Sequence, residues 1–201
     1  MNKNSTRLLS NTNPNSQQKD HLHRHVHWNA RDNNTAVRRQ RIVSVDIDGT
    51  VADVTRRREY ALQFGEDCSV EFYTVFLDGE HYPMDDPIVA SRDILCRYVS
   101  ELNGKIVYLS GRRQGTEEQT ELWLRQHQFP NGQIIHRAMG QKSVWFKSEW
   151  LEALRRKYWI DAHIGDRLED DERAARYSGV QFVHIKDHQW PTADDLFTKF
   201  R

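Results

Sequence analysis

Cysteine is scarce in this chain of 201 residues, which contains only Cys68 and Cys96. Their spacing matches neither a metal-binding nor a redox motif, so we predict two buried free thiols. No apolar stretch is long enough to span a membrane, and no hydrophobic segment typical of a signal peptide follows Met1. The Gly-x-x-x-x-Gly-Lys-Ser/Thr loop of ATP-dependent kinases is also missing. These absences favour a cytoplasmic, intracellular protein with no membrane contact and no attached kinase.

The chain also has no net charge, because its 29 basic and 29 acidic residues cancel. Basic and acidic residues are nevertheless distributed unevenly along the sequence. Residues 1–41 carry eight basic and two acidic side chains, a net charge of +6 that leaves −6 on the remainder. Residues 1–40 are rich in Asn, Ser and Gln, and such a composition does not offset the entropy of ordering the backbone. We therefore predict a disordered, basic, Asn- and His-rich tail over residues 1–40 and one folded domain over residues 41–201.

Three features of the tail indicate alternatives to a segment that is simply solvated. A basic segment can contact nucleic acid or another acidic surface. In addition, His21, His23, His25 and His27 alternate with other residues, so an extended backbone would place four imidazoles on one side, within reach of a transition metal. The lack of acidic residues before Asp20 leaves an organelle-targeting peptide as a further alternative, against which the many asparagines argue.

From residue 42 onward, short apolar runs typical of strands alternate with amphipathic runs typical of helices. Strands are predicted at 42–47, 105–109, 133–136, 160–164 and 180–185. Helices are predicted at 87–102, from 116 onward, at about 143–158 and at about 168–177. Asp86 and Pro87 are placed to begin the first helix, and Thr116 with Gln119 forms a capping-box pattern at the second. This alternation indicates a Rossmann-like α/β fold with a parallel sheet flanked by helices.

Polar side chains follow the predicted strands. Asp46 and Asp48 end the first strand directly before Gly49. Because side chains alternate along a strand, the two carboxylates lean to the same side. They repel each other unless a cation or a shared proton offsets their charge. A plain Asp-Gly turn is the alternative. Ser110 follows the second strand and Asp166 the fourth. Because ligands bind beyond the carboxyl ends of parallel strands, we expect these side chains at one site.

This set resembles the motifs of the haloacid dehalogenase (HAD) superfamily of phosphotransfer enzymes. The matching residues are Asp46-Ile47-Asp48-Gly49-Thr50, Ser110, Lys147, and Asp166 with Asp170. More narrowly, residues 42–186 resemble the phosphatase domain of polynucleotide kinase 3′-phosphatases. The segments in question are Glu71-Phe72-Tyr73, Asp86-Pro87-Ile88, Tyr108-Leu109-Ser110-Gly111-Arg112 and His136-Arg137. Those phosphatases often carry paired aspartates before the arginine of the fourth motif, whereas this chain has Gly165-Asp166-Arg167.

The resemblance implies a phosphatase in which Asp46 attacks the phosphorus and forms an aspartyl-phosphate. Asp48 would move protons, first to the leaving oxygen and then from water. Ser110 and adjacent backbone N–H groups would bind the phosphoryl oxygens, and Lys147 would balance their charge. Lys142 is the competing lysine, but the position of Lys147 on a predicted helix fits the family pattern better.

The resemblance also implies a metal site and a set of substrate contacts. Mg²⁺ would be held by Asp46, the backbone carbonyl of Asp48, Asp166 and Asp170. The candidates for contacts with the substrate are Gly111, Arg112, Arg113 and Arg137.

The segment after the first motif bears on the substrate. Residues 51–86 have room for a small flap and not for a large cap, so the site should stay open to a polymer end or a protein side chain. We therefore expect a phosphomonoester on a nucleic-acid 3′ end as substrate. A nucleotidase or other small-molecule phosphatase is the first alternative, and a catalytically silent nucleic-acid-binding module is the second.

Overall fold

The structure, a computed structural model, describes residues 39–200. The histidine tract, the targeting alternative and all of the predicted tail except Arg39 and Gln40 lie outside the described residues. The described part of the chain contains seven strands: β1 (Arg41–Val45), β2 (Ala52–Asp53), β3 (Asp86–Pro87), β4 (Lys105–Arg113), β5 (Gly132–Arg137), β6 (Trp159–Gly165) and β7 (Phe182–His184). Five of them form one parallel sheet in the order β5-β4-β1-β6-β7. The predicted parallel α/β fold is confirmed.

Helices cover both faces of this sheet. They are α1 (Thr55–Ala61), α2 (Val70–Phe76), α3 (Val89–Leu102), α4 (Glu117–Gln126), α5 (Ser143–Lys157), α6 (Arg173–Ser178) and α7 (Ala193–Lys199). A 3₁₀-helix at Gly79–Met84 and a π-helix at Leu168–Glu172 complete the set. Tyr98 of α3, Trp123 of α4 and Phe197 of α7 pack on one face, and Phe146 and Leu151 of α5 pack on the other. Among the described helices, none is long and apolar enough to cross a membrane.

Residues 52–87 form a small flap between the first motif and α3. Strands β2 and β3 pair antiparallel, Ala52 with Pro87 and Asp53 with Asp86, and so bring the two ends of the flap together. Helices α1 and α2 and the 3₁₀-helix lie between these strands. The predicted small flap is therefore present, and it is wholly separate from the parallel sheet in its strand pairing.

Two details of the predicted helix starts are wrong. Asp86 and Pro87 belong to strand β3 and do not begin α3, whose N-terminal cap is Ile88. At the next helix, Thr116 makes no side-chain capping hydrogen bond, because its hydroxyl donates to the carbonyl of Arg113 at 2.7 Å. At Asp86 and Pro87 a tertiary contact, the pairing with β2, replaces the predicted cap, whereas at Thr116 a local turn contact replaces it.

The prediction of buried thiols is also wrong. Cys68 and Cys96 are free, but both are exposed. Cys68 lies in the flap between α1 and α2, and Cys96 lies on α3, a helix that turns Ile94, Leu95 and Tyr98 toward the core. Neither cysteine belongs to the buried side chains that pack against the sheet.

Candidate active site

The site begins where β1 leaves the sheet. Pairing with β6 continues one residue past the strand, because the Asp46 N–H donates to the carbonyl of Ile164 at 2.8 Å. This bond holds Asp46 at the carboxyl edge of the sheet, with only 4% of the residue exposed. Lys147, buried on α5, approaches from one face and places its Nζ 3.0 Å from Asp46 Oδ1.

Three carboxylates converge at this edge. Asp46, Asp166 and Asp171 each offer an oxygen, and these oxygens all lie within 4.8 Å of one another. Asp171 is fully buried; its Oδ1 accepts hydrogen bonds from Lys147 Nζ at 2.5 Å and from His163 Nε2 at 3.0 Å. We call Asp46, Asp166 and Asp171 the acidic group.

The structure brings Asp171, and not the predicted Asp170, into the acidic group. The reason is the π-helix that follows Arg167, in which the N–H groups of Asp171 and Glu172 both point to the Arg167 carbonyl, at 2.7 and 3.4 Å. This wider turn directs the fifth residue after Asp166 inward, where an α-helix would direct the fourth. Asp170 instead lies 3.5 Å from Arg167, whose side chain is largely exposed.

The acidic group carries more negative charge than its surroundings neutralise. Burial raises the pKa of Asp46 well above its ordinary value, and the neighbouring Asp171 and Asp166 add to the rise against the opposing Lys147. For Asp166, burial and the charge of Asp171 raise the pKa to about 6. Burial acts to raise the pKa of Asp171 too, but Lys147 and the His163 hydrogen bond outweigh it and hold that pKa below its ordinary value.

One buried oxygen of the acidic group accepts no hydrogen bond from residues 39–200. This atom is Asp46 Oδ1, whose contact with Lys147 Nζ is close in distance but not aligned as a hydrogen bond. A buried carboxylate oxygen with no hydrogen bond from the described residues, beside two further carboxylates, fits a hard divalent cation such as Mg²⁺, which prefers oxygen ligands.

A glycine turn brings the first motif against Asp166. Gly49 has φ +80°, and a Cβ built on it would lie 2.3 Å from Asp166 Oδ2. Any larger residue would therefore displace Asp166, besides adopting a backbone conformation that favours glycine. The Thr50 hydroxyl also donates to Asp166, over 3.5 Å.

The carboxylate of Asp48 lies apart from the acidic group. Its Oδ1 accepts hydrogen bonds from Arg57 and from Arg112, each at 2.8 Å, and no hydrogen bond from the described residues reaches Oδ2. A fifth of the Asp48 side chain is exposed. Burial acts to raise the pKa of Asp48, but Arg112 and Arg57 outweigh it and hold the pKa well below its ordinary value.

Arg57 and Arg112 are themselves fully buried, and a second carboxylate, Asp85, lies between them. Arg112 was predicted to contact the substrate; the structure places it in this internal ion pair, with no exposed side-chain surface. Arg57 and Asp85 were not predicted. Arg57 is the middle of three consecutive arginines, and nothing in the sequence distinguishes it from Arg56 or Arg58.

The other predicted residues lie late in β4, at the end of β5 and just before α5, and they differ in burial. Ser110 is fully buried, and its Oγ accepts the N–H of Arg112 at 3.2 Å. Arg137 donates to the carbonyls of Gly111 at 3.4 Å and Gln141 at 2.7 Å, so it braces two loops. Two further cations are exposed: Arg113, at the end of β4, and Lys142, which precedes α5.

A sequence model of the HAD superfamily, subfamily IIIB (acid phosphatase), matches residues 9–187. The chain belongs to this family. The resemblance to the HAD superfamily is thereby confirmed, and the location of Asp46 and Lys147 at the sheet edge agrees with it. No curated protein sequence matches the chain.

Solved structures share the fold. A chain of the Pnkp1/Rnl/Hen1 RNA repair complex superimposes with a TM-score of 0.58 at 19% identity, over 78% of this chain and 45% of that one. A class C acid phosphatase from Bacillus anthracis with tungstate bound superimposes with a TM-score of 0.56 at 17% identity, over 83% and 74%. A haloacid dehalogenase-like hydrolase from Streptococcus pneumoniae gives 0.54 at 14% identity, over 79% and 90%. The chain spans about half the length of the RNA-repair chains it matches.

Proposed function

We propose that this HAD-family protein is a Mg²⁺-dependent phosphatase that hydrolyses phosphomonoesters through an aspartyl-phosphate on Asp46, with polynucleotide 3′-phosphate ends as its substrate. The observation that carries the proposal is the convergence of Lys147, Asp166 and Asp171 on the buried carboxylate of Asp46. A nucleophile so placed needs a cation beside it before an anionic phosphate can approach.

The acidic group would hold the Mg²⁺, with the backbone carbonyl of Asp48 as a further ligand. When bound, the ion supplies positive charge that offsets the three carboxylates and polarises the phosphate ester. Asp170, paired with Arg167, has no part in this site. Lys147 supplies the remaining positive charge from the protein itself.

In the first step, an oxygen of Asp46 attacks the phosphorus, the bond to the ester oxygen breaks, and that oxygen takes a proton from Oδ2 of Asp48. In the second step, water attacks the phosphorus, the bond to Asp46 breaks, and Asp48 takes a proton from the water. Phosphate is released and both aspartates return to their starting forms. The Ser110–Arg112 segment of β4 and Lys147 would bind the transferring phosphoryl oxygens.

Asp48 is well placed for this role because the two arginines occupy only one of its oxygens. They favour the ionised form, which is the form that accepts a proton from water. A phosphate ester bound beside Asp48 adds negative charge and favours the protonated form, which the first step requires.

The substrate part of the proposal rests on the flap. Residues 52–87 contribute two short helices and a 3₁₀-helix, too little to enclose a small metabolite, so a chain end can reach the acidic group. The fold is also that of a chain in an RNA repair complex. The second candidate, a phosphatase of small phosphomonoesters, is favoured by the match to acid phosphatases.

The test is phosphate release from a 3′-phosphorylated oligonucleotide, a 5′-phosphorylated oligonucleotide and mononucleotides, with Mg²⁺ and with EDTA. We expect Mg²⁺-dependent release, fastest from the 3′-phosphorylated end, and none above background from Asp46→Asn. Activity confined to mononucleotides would overturn the substrate part. Native turnover by Asp46→Asn would overturn the mechanism, and inactivity of the wild type on every phosphomonoester would favour the silent binding module.

A further inference from the structure

Asp85, at the end of the flap, connects the two arginines that contact Asp48. Its Oδ1 accepts from Arg57 Nε at 2.8 Å, and its Oδ2 accepts from Arg112 at 2.7 Å. The side chains of all three residues are fully buried. Each arginine thus bridges one oxygen of Asp85 and the same oxygen of Asp48. We call Asp48, Arg57, Asp85 and Arg112 the arginine cluster.

The arginine cluster is balanced only with Asp85 in it. Two buried guanidinium groups face two carboxylates, and an unpaired buried charge is strongly unfavourable. Asp48 alone would leave one excess positive charge below the flap. With Asp85 in place, each guanidinium has a fixed partner that takes no part in proton transfer, so both keep their positions while the charge of Asp48 changes.

Contacts from α4 and from the flap hold Asp85 and the two arginines in place. The Trp123 ring N–H, from α4, donates to the backbone carbonyl of Asp85 at 3.1 Å. Tyr82, fully buried in the 3₁₀-helix, places its ring 4.8 Å from the Arg57 guanidinium and 4.0 Å from that of Arg112. An aromatic face at this distance stabilises a desolvated cation and restricts its orientation.

We propose that Asp85 and Tyr82 are positioning residues for Asp48. They hold Arg57 and Arg112 so that these fix Oδ1 of Asp48 and leave Oδ2 directed toward the leaving oxygen of the substrate. The flap therefore takes part in the protonation step and is more than a cover over the site. This inference rests on the proposed function, because proton transfer by Asp48 belongs to it.

The test compares phenyl phosphate with 4-nitrophenyl phosphate, two substrates of similar size that differ in their leaving group. Nitrophenolate departs with little help from an acid, whereas phenolate requires a proton. The parameter is kcat/KM, which reports on phosphorylation of Asp46 and not on the later hydrolysis. For Asp85→Asn we expect a loss at least about tenfold greater with phenyl phosphate, a part of the 10²–10⁴-fold that acid catalysis supplies.

Asp86→Asn is the matched control, since Asp86 is the adjacent flap aspartate but lies exposed, 3.4 Å from the exposed Arg56. It should behave as wild type on both substrates. Equal losses on the two substrates by Asp85→Asn would show a merely structural role and overturn the inference. Wild-type inactivity on both aryl phosphates and on the 3′-phosphorylated oligonucleotide would instead overturn the proposed function, so the two failures are distinguishable.

A second pair of variants covers the case in which Asp85→Asn does not fold. Tyr82→Phe keeps the ring against both guanidinium groups and loses the two hydroxyl contacts, with Thr116 at 3.0 Å and with the Leu77 carbonyl at 3.4 Å. Tyr82→Leu loses the ring. We expect Tyr82→Leu to lose more kcat/KM with phenyl phosphate than with 4-nitrophenyl phosphate, and Tyr82→Phe to remain near wild type on both. Identical behaviour of the two variants would contradict the inference.

Discussion

Two aspartates only two residues apart lie in opposite electrostatic surroundings. Asp46 faces two further carboxylates and one lysine, and its pKa is raised. Asp48 faces two arginines, and its pKa is lowered. The difference shows how one short strand end can supply two chemical roles: a carboxylate that needs an added cation, and a carboxylate whose positive partners belong to the fold. The repulsion between the two carboxylates is offset because each has cationic partners of its own, Lys147 for Asp46 and the two arginines for Asp48.

The largest expected effects come from exchanging the two aspartates for asparagine one at a time. On 4-nitrophenyl phosphate, Asp46→Asn should lose at least about 10³-fold in kcat/KM, as expected for removal of a nucleophile. Asp48→Asn should lose much less in kcat/KM on this substrate, because its leaving group needs little acid catalysis. Steady-state kinetics of the two variants measure this directly. Equal losses in kcat/KM would contradict the assignment of different roles to Asp46 and Asp48.

A smaller effect, on activation by Mg²⁺, is expected to distinguish Asp171 variants from variants of its neighbour Asp170. Asp171→Asn should weaken Mg²⁺ activation by about 10- to 100-fold, because it removes a carboxylate of the acidic group and a partner of Lys147. Asp170→Asn, the matched control, should shift the Mg²⁺ requirement by less than about twofold, as its contact with Arg167 is a surface ion pair. Mg²⁺ titrations of both variants give the comparison. A larger effect of Asp170→Asn than of Asp171→Asn would support Asp170 as the metal ligand, as the sequence predicted.

The smallest expected effect is on the pH dependence of folding stability, and it comes from His136, which lies near Arg112. His136 on β5 is buried; burial and the nearby charge of Arg112 lower its pKa to about 4, from an ordinary value of 6.5. The unfolded chain therefore takes up a proton before the folded one does. The stabilisation by neutral His136 is complete above pH 6.5 and declines as pH falls toward 4, by at most about 3 kcal/mol.

Urea unfolding of wild type and His136→Gln between pH 4 and 8 measures this term. The variant should lose less stability than wild type over the acid half of that range. Parallel curves would show that His136 does not carry the effect.

The parallel sheet and its main helices could be predicted because their apolar side chains recur at strand and helix spacing. The flap helices could not. Helix α1 buries only Arg57 and Ala61, so its inward face includes a cation that hydrophobic periodicity cannot detect. Arg57 became identifiable only through Asp85 and Asp48, which are distant in sequence.

The candidate site was partly predictable for a similar reason. Asp46 and Asp166 directly follow strands, Ser110 lies late in β4 and Lys147 lies in a regular helix, so spacing and topology determine their location. Asp171 depends on a π-helix, and helical spacing of four residues selects its neighbour instead. Arg112 has the right position along β4 for a substrate contact, but burial beside Tyr82 and Asp85 turns it inward.

The most direct test of the division between Asp46 and Asp48 is chemical trapping of the covalent intermediate. In Asp48→Asn, 4-nitrophenyl phosphate should still phosphorylate the enzyme, while hydrolysis of the aspartyl-phosphate slows for lack of a base. Quenching during turnover, borohydride reduction and peptide mass spectrometry should then find homoserine at position 46. Reduction at another aspartate, or no reduced residue in a variant that still releases nitrophenolate, would contradict the assignment of Asp46 as the nucleophile.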